Sequence, residues 1–201
     1  MLVKRALDVV VATVLLVLTL PVAAVTAVAI VLETRGPIIF GHTRVGKGRS
    51  RFRLLKFRSM VKDADSVLAR HLEAHPEHRA EWIERHKLKD DPRVTRVGRV
   101  LRRLSLDELP QLINVLRGDM SMVGPRPIVE AESERYGKVF PLYTQVRPGL
   151  TGLWQVSDRR HTTYRERIEL DLHYMQQRTL GMDLAILVKT IRAVVFGHGA
   201  H

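Results

Sequence analysis

The chain has 201 residues, enough for one domain with a buried core, and no cysteine, which excludes disulfides, thiolate metal sites and cysteine nucleophiles. Its formal net charge of +12 favours anionic partners: nucleic acid, acidic lipid headgroups or phosphorylated small molecules. Aromatic residues are only 5% and no helix-turn-helix, zinc-finger or RNA-recognition signature is present, so nucleic acid is not an expected partner.

The first element is apolar. From Val9 to Leu32, VVVATVLLVLTLPVAAVTAVAIVL carries no charge and as a straight helix covers about 36 Å, enough to cross a bilayer. It is longer than a typical signal-peptide core and ends in Glu33-Thr34-Arg35 rather than a small-residue cleavage site. Lys4 and Arg5 precede it; Arg35, Arg44, Lys47, Arg49, Arg51, Arg53, Lys56 and Arg58 follow. Positive charge at both ends asks for both ends on the cytoplasmic side. Pro21 offers a place to turn, with Thr19 at hand for the carbonyl it frees. On these residues alone, a re-entrant helix broken near Pro21 and a spanning helix both stay open.

Next, PIIFGHTRVGKGRSRFRLLKFRSM reads as two strands around a Gly-Lys-Gly turn, a small basic β-hairpin. Its cations serve either an edge kept soluble or a surface for phosphates and anionic membrane lipids. Asp63 to Lys89 is a charged helical region interrupted at Pro76; His71, His75, His78 and His86 there read as a solvated face, not a metal site. Arg93, Arg96, Arg99, Arg102 and Arg103 then form a basic stripe at helix-like spacing.

That stripe leads into SLDELPQL, Ser105 to Leu112. Ser105 with Glu108 fits a capping box, and Asp107 favours the positive end of a helix. Pro110 complicates a plain cap, because as the fifth helical residue it removes a backbone bond. The Asp107-Glu108 pair therefore reads either as a cap or as a catalytic site. Further on, QLINVLRGDM is a short helix ending in a Gly-Asp turn, and Pro125-Arg126-Pro127 fixes a guanidinium in extended geometry suited to a phosphate, or else bounds a solvated loop. RPGLTGLWQV, with Arg147, is a turn and a short buried strand or loop; YRERIELDLHYMQQ and MDLAILVKTIRAVVF are helices, the second apolar enough to lie in an interface or in a core.

Taken in order, KFRSM, DDPRVTRVGRVLRRLSLDELPQLINVLRGDMSMVGPRP, RPGLTGLWQV and DLAILVKT resemble the bacterial sugar transferases, monotopic polyprenyl-phosphate phosphoglycosyl transferases. The resemblance covers nearly the whole chain. It implies an α+β, mainly helical fold: a re-entrant membrane helix over residues 1–34 and, over residues 35–201, a catalytic domain whose interfacial amphipathic helices surround an active site on the cytoplasmic face of the bacterial inner membrane. It implies transfer of sugar 1-phosphate from a UDP-sugar to polyprenyl (undecaprenyl) phosphate, giving polyprenyl-diphosphate-sugar and UMP at the first membrane step of glycan assembly. The family's catalytic Asp-Glu dyad falls on Asp107 and Glu108, its KFR lysine on Lys56 with Arg58 beside it, its preceding arginine on Arg102 or Arg103, its Pro-Arg-Pro on Arg126, and a later acid on Asp183. Two departures stand out: Leu20-Pro21 replaces the family's usual Ser-Pro, and YMQQRTLGMDL replaces an Asn-Trp-Ser-like segment.

Within that reading Asp107 is expected to attack the sugar-bearing phosphorus and form a covalent aspartyl-phosphosugar. Arg102, Arg103 and a helix N-terminus are expected to keep it ionised. Mg²⁺ on Asp107 and Glu108 is the expected cofactor, with Lys56, Arg126 and Arg147 holding phosphates. The rival activities are a metal-dependent nucleotide-sugar pyrophosphatase and a membrane-tethered basic binding module. No residue maps to the choice of sugar or to an oligomeric state.

Overall fold

A computed structural model of the chain describes residues 2–85, 88, 90–157 and 163–195. His86 and Lys89, in the charged region expected to be helical, lie outside the described residues. The apolar run forms one helix, α1 (Leu2–Glu33), of 32 residues and so about 48 Å long. By length and composition it can cross a membrane. Val10, Val14, Val17, Leu18, Val25 and Val28 are all at least half exposed along it, a continuous apolar surface that hydrocarbon accepts and water does not.

The helix continues through Pro21, so its course does not confirm the break expected there. Pro21 cannot donate to the Val17 carbonyl four residues back. Thr19 does not take that carbonyl up; its hydroxyl donates to Leu15 O at 2.7 Å.

Both ends of α1 are tied to the rest of the chain. At its start Lys4 Nζ lies 2.9 Å from Asp8 and 3.1 Å from Asp183, and Arg5 donates to Val115 O and Leu116 O at 2.6 and 2.9 Å. Asp8, 3% exposed, accepts from Ser121 Oγ and Met122 N. At its end the Glu33 carboxylate accepts from the backbone N–H groups of Arg96 and Val97 at 2.7 and 3.0 Å.

The basic hairpin forms as expected: β1 (Ile39–Val45) pairs antiparallel with β2 (Arg51–Phe57), with Val45 opposite Arg51 and Phe40 opposite Lys56. The free edge of β2 is covered by a side chain. Asn114, fully buried, accepts from Leu55 N at 2.9 Å and donates to Arg53 O at 2.8 Å, mimicking a third strand. Helices α2 (Ala64–Ala74) and α3 (Glu77–Arg85) flank Pro76, and α2 buries none of its residues, as a solvated charged region requires. His71, His75 and His78 stack with ring centroids 4.5 to 5.5 Å apart. No group of three or more metal-ligating residues occurs among the described residues.

Helix α4 (Arg96–Arg103) begins at Thr95, whose hydroxyl accepts from Gly98 N at 2.8 Å, so Glu33 and Thr95 together satisfy three of its leading N–H groups. Arg93 stands outside it, paired with Asp91 at 2.6 Å and lying over the Trp82 ring, so the helical stripe starts at Arg96. Gly98 is where α4 meets the strand exit: a Cβ there would sit 2.0 Å from Ser59 O. Gly98→Ala must therefore push α4 off that backbone. We expect a loss of roughly 1–3 kcal/mol, read as a fall of about 3–10 °C in the thermal midpoint.

Helix α5 (Gln111–Arg117) ends at Gly118, whose φ of 90° supplies the left-handed cap of the expected Gly-Asp turn. Beyond it β3 (Ser121–Val123) and β4 (Gly149–Thr151) pair in parallel, a contact between segments far apart in sequence that local pattern did not disclose. The pairing is close: a Cβ on Gly149 would lie 2.1 Å from Gly124 N. Short helices α6 (Ser133–Tyr136), α7 (Phe140–Tyr143) and α8 (Leu153–Val156), then α9 (Tyr164–Gln177) and α10 (Leu180–Val195), close the main core around Leu112, Met120, Tyr143 and Ile186.

Candidate active site

The Asp107-Glu108 pair lies in a 3₁₀ turn, Leu106–Glu108, between α4 and α5. Ser105 does not cap it. Its φ of 55° and ψ of 20° are left-handed, and its side chain makes no capping bond. Instead Ser105 closes α4 in the position usually given to glycine, with Leu104 N bonding Val100 O and Ser105 N bonding Arg102 O. A left-handed serine costs on the order of 1–2 kcal/mol, and strain of this kind is typical beside functional residues. Pro110 then sets the start of α5 with φ of −61°, so it ends one helix and opens another rather than kinking either.

The sharp reversal turns both carboxylates toward β2. Lys56 Nζ lies 2.7 Å from Glu108 Oε1 and 3.5 Å from Asp107 Oδ2. Asp107 is 7% exposed, and Lys56 is its only hydrogen-bond partner among the described residues. Burial pushes the Asp107 carboxyl above the ordinary carboxylate range; Lys56 and then Arg102 pull it down, and Glu108 pushes it further up. The expected set of cations thus needs correction. Lys56, more than either arginine, opposes the burial, and a single 3₁₀ turn stands where a helix N-terminus was expected. Arg102 takes part through its charge while its Nε donates to Ser59 Oγ at 2.9 Å. Arg103 is exposed and makes no bond to the dyad.

Other residues singled out from the sequence lie elsewhere. Arg58, 7% exposed, donates to Thr34 O and Thr34 Oγ1 at 2.5 and 2.8 Å, so its guanidinium is occupied at the end of α1. Arg147 donates from Nε to Gly118 O at 2.6 Å, at the end of α5 away from the dyad. Asp183, 3% exposed, accepts from the Tyr174 hydroxyl at 2.8 Å and pairs with Lys4, which joins α10 to the start of α1.

Arg126 belongs to a second basic cluster. Its guanidinium lies over Trp154, 5.3 Å from the ring centroid, and its carbonyl accepts from the Tyr143 hydroxyl at 3.3 Å. Arg44 and Arg167 share Glu132 as counter-ion at 3.7 and 3.6 Å. Asp171, buried under the same cluster and bonded by the Tyr136 hydroxyl at 2.8 Å, is pushed up to about 6 by burial. The sequence reading missed Arg44, Glu132, Trp154, Arg167 and Asp171 as partners. The one local signal was Arg167 and Asp171, four apart on one face of α9. Arg44 stands opposite Phe52, four residues from Lys56, which separates the two basic clusters by roughly 13 Å of strand.

The donor set at the dyad suits Mg²⁺. Adjacent hard carboxylates, with no group of three or more such ligands among the described residues, fit the open arrangement in which that ion is held by one or two carboxylates and completed by substrate phosphates.

Comparison with known proteins identifies the family. Residues 1–197 match the family described as Bacterial sugar transferase. The chain is 46% identical to the exopolysaccharide production protein ExoY of Sinorhizobium fredii, over 98% of this chain and 88% of that protein. It is 46% identical to the undecaprenyl-phosphate galactose phosphotransferase of Salmonella typhimurium, over 98% of this chain but 41% of the relative. It is 42% identical to the UDP-glucose:undecaprenyl-phosphate glucose-1-phosphate transferase of Caulobacter vibrioides, over 98% of this chain and 72% of that one. A match of this extent, through the apolar helix, the dyad and the Pro-Arg-Pro loop alike, places the chain in the bacterial sugar transferase family.

Proposed function

We propose that this protein transfers sugar 1-phosphate from a UDP-sugar to polyprenyl phosphate, releasing UMP, at the cytoplasmic face of the bacterial inner membrane. The observation that carries the reading is the buried Asp107 carboxylate, whose one hydrogen-bond partner among the described residues is a lysine also bound to Glu108. The names of the relatives supply the substrate classes, undecaprenyl phosphate and UDP-sugars.

Asp107 attacks the phosphorus that carries the sugar. A carboxylate–phosphorus bond forms, the bond to the bridging oxygen breaks, and UMP leaves with the electron pair. A phosphate oxygen of the lipid then attacks the same phosphorus and expels the Asp107 carboxylate, which is restored. Lys56 holds the dyad's orientation, and with Arg102 it offsets the charge brought by the diphosphate. Mg²⁺ held by Asp107 and Glu108 would supply further neutralisation of the diphosphate. In this reading Arg126, held in the rigid Pro-Arg-Pro loop, meets the donor's phosphates with its planar guanidinium fork. The assay is UMP release with a UDP-sugar panel, polyprenyl phosphate and Mg²⁺. Without the lipid, one equivalent of UMP and an Asp107 adduct are expected; continuing turnover to free sugar phosphate would mean hydrolysis instead.

The membrane segment, residues 1–34, enters and leaves by one leaflet in this reading. Support comes from its two ends, since Arg5 and Glu33 bond helices α5 and α4 of the same body. A straight helix crossing an apolar layer of about 30 Å would set those ends on opposite sides. The missing hydrogen bond at Pro21 gives the place for a bend. Because the chain has no cysteine, single cysteines at Val3 and Thr34 are clean probes. Both are expected to react with an impermeant reagent only from the cytoplasmic side of oriented vesicles.

A further inference from the structure

The second cluster has an order that the transfer reaction alone does not explain. Five side chains from four parts of the chain alternate cation and ring. Arg135 of α6 lies 5.0 Å from the Tyr164 ring, Arg167 of α9 lies 4.9 Å from that ring and 5.2 Å from Trp154 of α8, and Arg126 lies 5.3 Å from Trp154. We propose that Trp154 and Arg167 are positioning residues for Arg126: the Arg167–Trp154 stack fixes the guanidinium of the Pro-Arg-Pro loop before the donor's diphosphate arrives. The inference rests on the reading above that Arg126 meets the donor phosphates.

Two features set this stack apart from ordinary core packing. The Arg167 side chain is 9% exposed, its counter-ion Glu132 is 3.6 Å away, and its Nε and Nη2 are buried without hydrogen-bond partners among the described residues. A guanidinium with two unbonded nitrogens is costly to bury; the Glu132 and Asp171 carboxylates offset its charge, and the ring faces on either side add to that. Second, the loop it serves is already fixed in its backbone, by Pro125 and Pro127 and by the Tyr143 hydroxyl on Arg126 O. Trp154 thus restrains the remaining freedom, that of the long Arg126 side chain. A side chain held in place loses less entropy when it binds, so the gain falls on donor affinity and leaves the chemical step alone.

The test is a double-mutant cycle on UMP release. Trp154→Leu is expected to raise KM for the UDP-sugar roughly 10-fold with kcat within about 3-fold of the parent, and Trp154→Phe, which keeps a ring face, to restore KM to within about 3-fold. In an Arg126→Ala background, Trp154→Leu should add less than about 2-fold, because the group it positions is gone. Effects of Trp154→Leu and Arg126→Ala that multiply independently, or an unchanged KM in Trp154→Leu, would overturn the proposal. A second measurement needs no turnover. With Trp82→Phe, Trp154 is the sole indole, and both Arg126→Ala and Arg167→Met should change its fluorescence; emission unaltered by either refutes the stack. A parent enzyme that makes no lipid-linked product from any UDP-sugar would sink the functional reading separately, while the fluorescence result stands by itself.

Discussion

Asp107→Asn is expected to abolish transfer, with UMP release falling at least about 10⁴-fold, while the protein folds as well as the parent or better. The second half of this expectation follows from the sign of the Asp107 perturbation. Burial holds its carboxyl above the ordinary range, so the folded chain binds the proton more tightly than the unfolded chain. Stability is then greatest at pH below the unfolded value, declines as pH rises through the raised folded value, and stays lowered at neutral pH. A neutral amide removes that cost. The thermal midpoint of Asp107→Asn at pH 7 should equal or exceed that of the parent, with any advantage disappearing in acid. A midpoint several degrees lower would show that the carboxylate holds the structure together, and the loss of activity would no longer identify a nucleophile.

Lys56→Met is expected to lower the rate about 10²–10³-fold, the range for removal of one preorganised charge next to the reacting group. Lys56 is the largest influence opposing burial at Asp107, so without it the carboxyl rises further. The acid limb of the UMP-release profile must therefore move to higher pH, since activity needs the ionised carboxylate. Lys56→Arg keeps the charge and should recover part of the rate and most of the profile. A slow Lys56→Met enzyme with an unmoved acid limb would place Lys56 on the substrate alone.

These two expectations use features of unequal visibility in the sequence. The dyad, the hairpin lysine, the helices on either side of Pro76 and the apolar N-terminal run follow from local pattern: spacing, punctuation by proline and glycine, and charge. The capping box at Ser105 misled because the same serine ends α4 in a left-handed conformation and its side chain caps nothing. Arg58, Arg147 and Asp183 looked like ligands for the same reason that Lys56 did. What a charged side chain meets depends on which distant segment lies beside it: Arg58 meets Thr34, Arg147 the Gly118 carbonyl and Asp183 the Lys4 ammonium. The β3–β4 pairing and the Trp154 stack joined segments too far apart for any local period to reveal.

The bonds at the two ends of α1 bear on the geometry of the dyad. Arg5 occupies carbonyls at the end of α5, and Glu33 occupies amides at the start of α4, so the apolar helix braces the outer ends of the two helices that carry the dyad between them. The apolar helix is in that sense a strut for the turn that holds the dyad. A version of the protein trimmed at Thr34 loses both contacts at once, and with them the brace on either side of Asp107 and Glu108.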